Sequence, residues 1–393
     1  MAESGATDVA ATWSGFCDRL KAIGLAGLKK HTDGSDQQAA DLLHYMTKLL
    51  RNGFDWEIDS QDRLHPRLNW YDRNAAGAAP YGPNLDNSYL LARIDERFTY
   101  RLSIDSRVVD EVNISVHTGS PIDGNFAVFG DLKFADFDID KTGNAEILFS
   151  RKKQQRAHFV VPEGADYLFI RFYYFDWEKS SPPAIFLECV DAPPTASPTL
   201  AASEFCAGLT KTARWLEATV DFGRMFATGF LAGYKPNELS KPRGVPGGGG
   251  HINYGGMHFR ITRDEAMLIT FTPPKARYWS VQWQKLPWGD PIDVMHHVIS
   301  LNHTQAEVDE DGQVRMVLSH KDPGIKNWLD TGGSAEGLLM YRWIWSEDAP
   351  MPEARVLRFD ALNAALSGGR KSFNQQERAK QRVIRRTHLS KRY

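Results

Sequence analysis

Residues 319–331, SHKDPGIKNWLDT, bring His320, Asp322, Asn327 and Asp330 together with Trp328. An imidazole beside carboxylates is general acid–base chemistry in kind, because histidine titrates near neutrality and a carboxylate can orient it. LNHTQ (301–305), one strand earlier, adds Asn302, His303 and Gln305. The same residue types also build turns. Pro323 presets φ, Gly324 admits positive φ, and Asp322 can accept from the amides that follow it. Turn-making is the simpler reading of this loop, with His320, Asp322, Asp330 and His303 as the catalytic candidates. A strand VRMVLSH leaving the turn at 309–312 would separate His303 from His320. Asn302 and Gln305 would then pair with backbone near that turn.

Arg342 carries a sharper constraint. In LLMYRWIW (338–345) the two-residue period of a strand puts it on one face with Leu338, Met340 and Ile344. A guanidinium on such a face needs a carboxylate or several carbonyls. Asp322 or Asp330 is the expected partner, by loop-to-strand proximity; the alternative is an anionic group of a ligand. In YWSVQWQ (278–284), Tyr278 and Gln282 alternate with Trp279, Val281 and Trp283 and leave one polar face. With Asn302, Gln305, Asn327, Trp328 and Arg342, that face would anchor a small molecule against aromatic walls. Core packing is the competing account of the aromatics.

Other motifs are weaker. His296 and His297 are adjacent and would point to opposite faces of a strand. His251 and His258 lack a third ligand at metal spacing, so neither a metal nor any other cofactor is expected. GVPGGGGH (244–251) lacks the Lys-Ser/Thr of a phosphate-binding loop, and no GxSxG elbow occurs. Cys17, Cys189 and Cys206 are too scattered for a disulfide framework, and reduced thiols suit the cytoplasm. No leader-like N-terminal pattern is visible, and no apolar run approaches the ~18 residues of a membrane span. Residues 370–393 hold nine Lys/Arg against one acid, Glu377, on an otherwise acidic chain. Such a tail is expected to dock on an acidic surface of this protein or of a second copy in a homo-oligomer, rather than on nucleic acid or a membrane.

The elements that position these residues can be read from periodicity. Trp13, Phe16, Leu20 and Ile23 recur at helical spacing, and Leu42, Met46 and Leu49 do so after a capping signal, Ser35 to Gln38. From about residue 88 the period changes to two, as at Phe98, Tyr100, Leu102 and Ile104, and short strands follow with Gly, Asp and Pro turns between them. DAPPTASPTLAA (191–202) reads as a linker, followed by a helix and a second β-rich block. After Trp345 the chain is expected to turn helical. The resulting division is 1–60 helical, 85–190 a first β half, 191–245 linker and helix, 246–348 a second β half, and 349–393 a helical basic tail. The β blocks 138–177 and 307–345 resemble each other: glycine and serine are equally spaced at Gly143 and Ser150 and at Gly312 and Ser319. A strand bearing Arg171 or Arg342 follows in each. The expected fold class is mainly β with flanking helices, in two related β-sandwich or jelly-roll-like halves.

The run 264–345, with its DG turn, its SHKDPG…NWLD loop and the Arg-Trp of its last strand, resembles domain of unknown function 1214. GPNLDNSYLLARID (82–95), YYFDW (173–177) and RRTHLSKRY (385–393) are similar to segments of long bacterial members. The resemblance implies a sandwich or jelly roll and brings no established reaction or cofactor. The first half departs from the pattern, with RAHFVVPEG where the second has NWLD, so Asn327 and Asp330 lack counterparts there. These features describe an enzyme or binding protein for a small apolar or aromatic metabolite. A non-catalytic assembly protein and a carbohydrate-binding or carbohydrate-processing sandwich are the alternatives. If Arg342 lies in a buried ion pair, Arg342→Ala is expected to cost roughly 3–5 kcal/mol in chemical denaturation.

Overall fold

The computed structural model describes residues 8–70, 82–119, 125–195, 197–229, 231–244, 252–366 and 372–392; His251 and most of the glycine run lie outside them. Three helices, α1 (Val9–His31), α2 (Asp36–Phe54) and α3 (Ala202–Gly229), share a core built on Phe16, Leu42, Met46, Leu49, Leu209 and Leu216. Ser35 caps α2 by accepting from the Gln38 amide, the role that its spacing indicated. Lys48 of α2 donates to both Asp290 oxygens at 3.0 Å, and Tyr45 stacks on Trp288, which fastens this layer to the second β half.

The first half contains β1 (Asn69–Trp70), β2 (Asn87–Arg93), β3 (Tyr100–Asp105), β4 (Glu111–Thr118), β5 (Ala127–Leu132), β6 (Asp138–Ile139), β7 (Asn144–Ser150), β8 (His158–Val160), β9 (Ala165–Tyr173) and β10 (Ile185–Cys189). The second contains β11 (Ile252–Arg260), β12 (Glu265–Phe271), β13 (Ala276–Gln284), β14 (Ser300–Asn302), β15 (Val314–Ser319), β16 (Trp328–Asp330), β17 (Glu336–Ser346) and β18 (Glu353–Arg358). Each half is a pair of sheets. In the first, one sheet runs β1-β2-β9-β4-β5 and the other β10-β3-β7, with β6 and β8 beside β7. In the second, the orders are β11-β17-β13-β14 and β16-β15-β12-β18.

Exchanging β2, β3, β4, β5, β7, β8, β9 and β10 for β11 to β18 in order converts one arrangement into the other. The short parallel strands repeat even the register: Leu148 faces His158 as Val317 faces Trp328. The inward faces bury Leu90, Ile104, Ile147 and Ile170 in one half and Met267, Val281, Leu318 and Trp343 in the other. Strand alternation supplies these residues. The chain is mainly β with flanking helices, in two sheet-rich halves.

Two local expectations fail. The chain after Trp345 adds edge strand β18 before it becomes helical, pairing with β12 from Glu265 to Thr270. His296 and His297 lie in a turn rather than on a strand. Asp293 organises that turn, with its carbonyl accepting from the His297 amide and its carboxylate lying 2.5 Å from His296 Nδ1.

The basic tail forms α4 (Gln375–Ser390), capped by Asn374 and Glu377. Arg378, Arg385 and Arg392 are seven residues apart, two helical turns, so they share a face. Arg378 grips both Asp322 oxygens, at 2.9 and 3.1 Å, over the Trp328 ring. Arg385 donates to Ser300 O (3.0 Å) and Oγ (2.9 Å) above Trp177. Arg392, just past the helix, donates to Leu85 O (2.8 Å) and Asn87 O (3.1 Å). The tail therefore docks on its own chain. Its receptors are chiefly carbonyl oxygens and aromatic rings, with Asp322 on Arg378 and Asp330 near Arg382 as carboxylates, so the expected acidic surface is replaced by a mixed one.

Deleting residues 374–393 removes these charge-assisted bonds together. It is expected to lower the unfolding free energy by roughly 5 kcal/mol or more in urea titrations followed by tryptophan fluorescence. Acid is a second probe. His388 is buried, with Nδ1 on Ser180 O at 3.1 Å and Nε2 facing the Arg392 guanidinium, and burial brings its pKa down to about 2. Burial likewise brings buried His117 down to about 3. A depressed histidine favours folding above the unfolded value near 6.5 and loses that contribution as pH falls. Each should add about 1.4 kcal/mol per pH unit to the acid sensitivity below ~6. His117→Gln and His388→Gln should each flatten that slope by this amount.

Candidate functional site

The outward face of the sheet β11-β17-β13-β14 is covered by a strap from the other half, GPNLDN (82–87). Gln282 and Gln284 both donate their side-chain amides to Pro83 O, at 2.6 and 2.8 Å. Gln282 Oε1 accepts from the Leu85 amide at 3.1 Å, and Arg342 Nη2 donates to Gly82 O at 2.7 Å. Gly82 has φ +70°, and a Cβ there would sit 3.0 Å from Gln284 Oε1, so glycine suits the crossing. The strap ends at Asp86, which is 0% exposed. Its carboxylate accepts from Tyr278 Oη at 2.6 Å and Asn302 Nδ2 at 2.9 Å. Burial pushes the Asp86 carboxyl up; the Tyr278 bond and the guanidinium groups of Arg392 and Arg385 oppose the shift. Burial also pushes the Tyr278 phenol well above its ordinary range.

Asn302 thus bonds Asp86 and Phe175 O (2.9 Å) rather than backbone near the 309–312 turn. Gln305 Oε1 lies 3.3 Å from the Asn302 amide. Tyr278, Gln282 and Asn302 meet through the strap, a feature that their own part of the sequence did not announce.

Beside the strap, two three-residue ladders occupy equivalent registers. On β2, β9 and β4 these are Tyr89, Arg171 and Asn113; on β11, β17 and β13 they are Tyr254, Arg342 and Ser280. Arg171 is 8% exposed and donates to Asn113 Oδ1 (2.9 Å) and Ser115 Oγ (3.4 Å) above the Phe169 ring. Arg342 is 2% exposed, lies 5.7 Å from the Tyr254 ring centre, and holds Gly82 O. Its other terminal nitrogen, Nη1, is buried without a partner. Among the described residues, neither guanidinium pairs with a carboxylate.

Tyr89 joins the two faces. Its hydroxyl accepts from the Asn84 amide of the strap at 2.8 Å. Burial pushes its phenol up to about 12, while Arg342 and Arg171 pull it down and Tyr254 adds to the rise. Tyr89 and Tyr254 keep partial exposure beside the buried arginines.

The expected ion pair of Arg342 with Asp322 or Asp330 is overturned. Asp322 is taken by Arg378, and Asp330 Oδ2 lies 2.8 Å from His297 Nδ1 and 3.9 Å from Arg382. The cause is sheet membership: β15 and β16 border the loop 319–331 in one sheet, whereas Arg342 faces outward from the other. Arg342→Ala should accordingly cost about 1.5–3 kcal/mol, the worth of a charged donor on a carbonyl, rather than the larger ion-pair figure.

The loop itself is held by local bonds. Asp322 Oδ1 accepts from the Gly324 amide at 2.9 Å, and His320 Nδ1 lies 2.9 Å from Thr331 Oγ1. Asn327 exchanges bonds with Glu307 N and O, both at 2.8 Å, and Trp328 donates to Ser319 O at 3.2 Å. His303 lies elsewhere, against Phe175 and Tyr278, where burial brings its pKa down to about 4. His320, His303, Asp322 and Asp330 therefore form no common constellation. Among the described residues, no group of three His, Cys, Asp or Glu could hold a metal ion. No helix there is long and apolar enough to cross a membrane.

Residues 257–348 match the family described as Protein of unknown function (DUF1214), the likeness that the DG turn and NWLD loop carried. A crystal structure of an uncharacterised Burkholderia cenocepacia protein is similar over 91% of this chain and 99% of that one, at 25% identity and a TM-score of 0.81. A Vibrio parahaemolyticus protein aligns over 81% of this chain and 98% of its own, at 12% identity and a TM-score of 0.45. No curated protein matches.

Asp86 gives a pH test. A carboxyl raised by folding contributes most below its unfolded value, near 3.9, and loses that contribution as pH rises toward its folded value. The stability of Asp86→Asn relative to the native chain should therefore rise from pH 4 upward, by at most ~1.4 kcal/mol per unit. Urea midpoints across pH 4–8 measure it, and a relative stability that falls with pH would contradict the assignment.

Proposed function

We propose that the seam between the two halves binds a small organic anion with an apolar or aromatic body. The supporting observation is Arg342, 2% exposed, with one terminal nitrogen unpartnered. A buried guanidinium is costly without a counter-charge, and its planar fork suits a carboxylate or phosphate oxygen. Tyr89, Tyr173 and Tyr254 supply aromatic walls, as small-molecule sites usually require. Gln282, Gln284 and Tyr278 act on the strap and set its path, so they position the site rather than touch the ligand.

We infer too that the halves derive from one duplicated unit. Support comes from the shared strand order, the repeated β8 and β16 register, and the equivalent placement of Arg171 and Arg342. Duplication accounts for an arginine on the central strand of each outward face.

A thermal-shift panel of aromatic carboxylates beside their neutral amides tests the binding reading. A ligand at 100 times its Kd adds about 2.7 kcal/mol. Acids should raise the midpoint and amides should not. Arg342→Met should remove the shift while its circular dichroism stays native. Equal shifts from acids and amides would contradict the proposal.

A further inference from the structure

Among the described residues, Arg171 and Arg342 face the seam, and the neighbouring acids Glu111 and Asp86 are already engaged. Glu111, two residues along β4 from Asn113, pairs with Arg277 and accepts from the amides of Val112 (3.1 Å) and Phe134 (3.0 Å). Asp86 is held by Tyr278 and Asn302. Arg171 is left with neutral acceptors, Asn113 and Ser115, and Arg342 with the Gly82 carbonyl. Both arginines lie near enough to Tyr89 to act on its phenol. Gly82 lies two residues from Asn84, whose amide bonds Tyr89, and Tyr89 stands directly across from Arg171 in the β2–β9 register. Two positive charges near one seam repel each other in a low-dielectric setting, and a single negative charge leaves one of them uncompensated.

Building on the anion-binding reading above, we propose that the ligand is a dianion with its charges at two ends, one taken by Arg171 of the first half and the other by Arg342 of the second. Small dicarboxylates with an apolar or aromatic spacer are the class that fits. Each half contributes an equivalent donor, so the site exists only where both faces meet. Tyr89 and Tyr254, cross-strand neighbours of the two arginines, flank the spacer. Arg342 has the free nitrogen and takes its carboxylate without displacing a protein bond; Arg171 exchanges a neutral acceptor for a charged one, which is the stronger bond.

Isothermal titration of the full chain decides this, with terephthalate, isophthalate and adipate each measured beside its monomethyl ester. For the skeleton that spans the site, the diacid should bind at least thirtyfold tighter than the half-ester. Arg171→Gln and Arg342→Gln should each erase that advantage, while Arg171→Lys retains part of it and guards against a folding defect. Diacid and half-ester affinities within threefold would overturn the dianion assignment and leave the single-anion reading standing. Phenyl phosphate binding more tightly than every dicarboxylate would overturn the division of charge between the halves. Silence from every probe would remove the anion site itself.

Discussion

A carboxylate with no exposed surface, Asp86, sits where three separated parts of the chain cross. A buried charge persists only when it is hydrogen-bonded and opposed by other charge. Tyr278 and Asn302 of the second half provide the bonds, and Arg385 and Arg392 of the C-terminal segment provide the field. Shifting any of these three parts leaves a charge or a strong donor stranded. The strap 82–87 is therefore fixed on the second half's polar face, the two sandwiches keep one relative position, and α4 closes across both.

The same physics works in reverse at the arginine ladders. Asp86 is surrounded by donors, whereas Arg171 and Arg342, among the described residues, meet neutral acceptors. One buried carboxylate is thus bonded from both sides, while among the described residues two buried guanidinium groups at the same seam have no carboxylate partner, and the proposed anion would supply that counter-charge. The two arginines occupy equivalent places on β9 and β17, since each half carries the same inner-strand arginine.

Local chemistry was legible in the sequence, and long-range pairing was not. Period-two alternation locates the strands from about residue 88 onward, Ser35 locates a helix start, and the equal spacing of Gly143–Ser150 and Gly312–Ser319 brings the two blocks into register. The basic composition of 370–393 indicates docking on an acidic surface of this chain or of a second copy, and the helix lies on its own chain. The strand pattern marks Arg342 as a buried guanidinium and points to Asp322 or Asp330 of the preceding loop, but a sandwich sends that loop to the opposite sheet. Asp86 gave no local signal, because Tyr278 and Asn302 lie 192 and 216 residues away in sequence. Nor did the strap, whose contacts depend on how two halves meet. Tyr89 and Tyr254 follow only from the strand pairing, since each stands directly across the sheet from its arginine on a strand far earlier in the chain.

An experimental density map of the protein crystallised with a bound aromatic dicarboxylate tests the central claim most directly. The account predicts ligand density at the seam, with a carboxylate oxygen within hydrogen-bond distance of Arg342 Nη1, a second anionic oxygen on Arg171, and Asp86 still bonded to Tyr278. A seam closed by side chains, with Arg342 Nη1 bonded to a carboxylate of the protein itself, would contradict it.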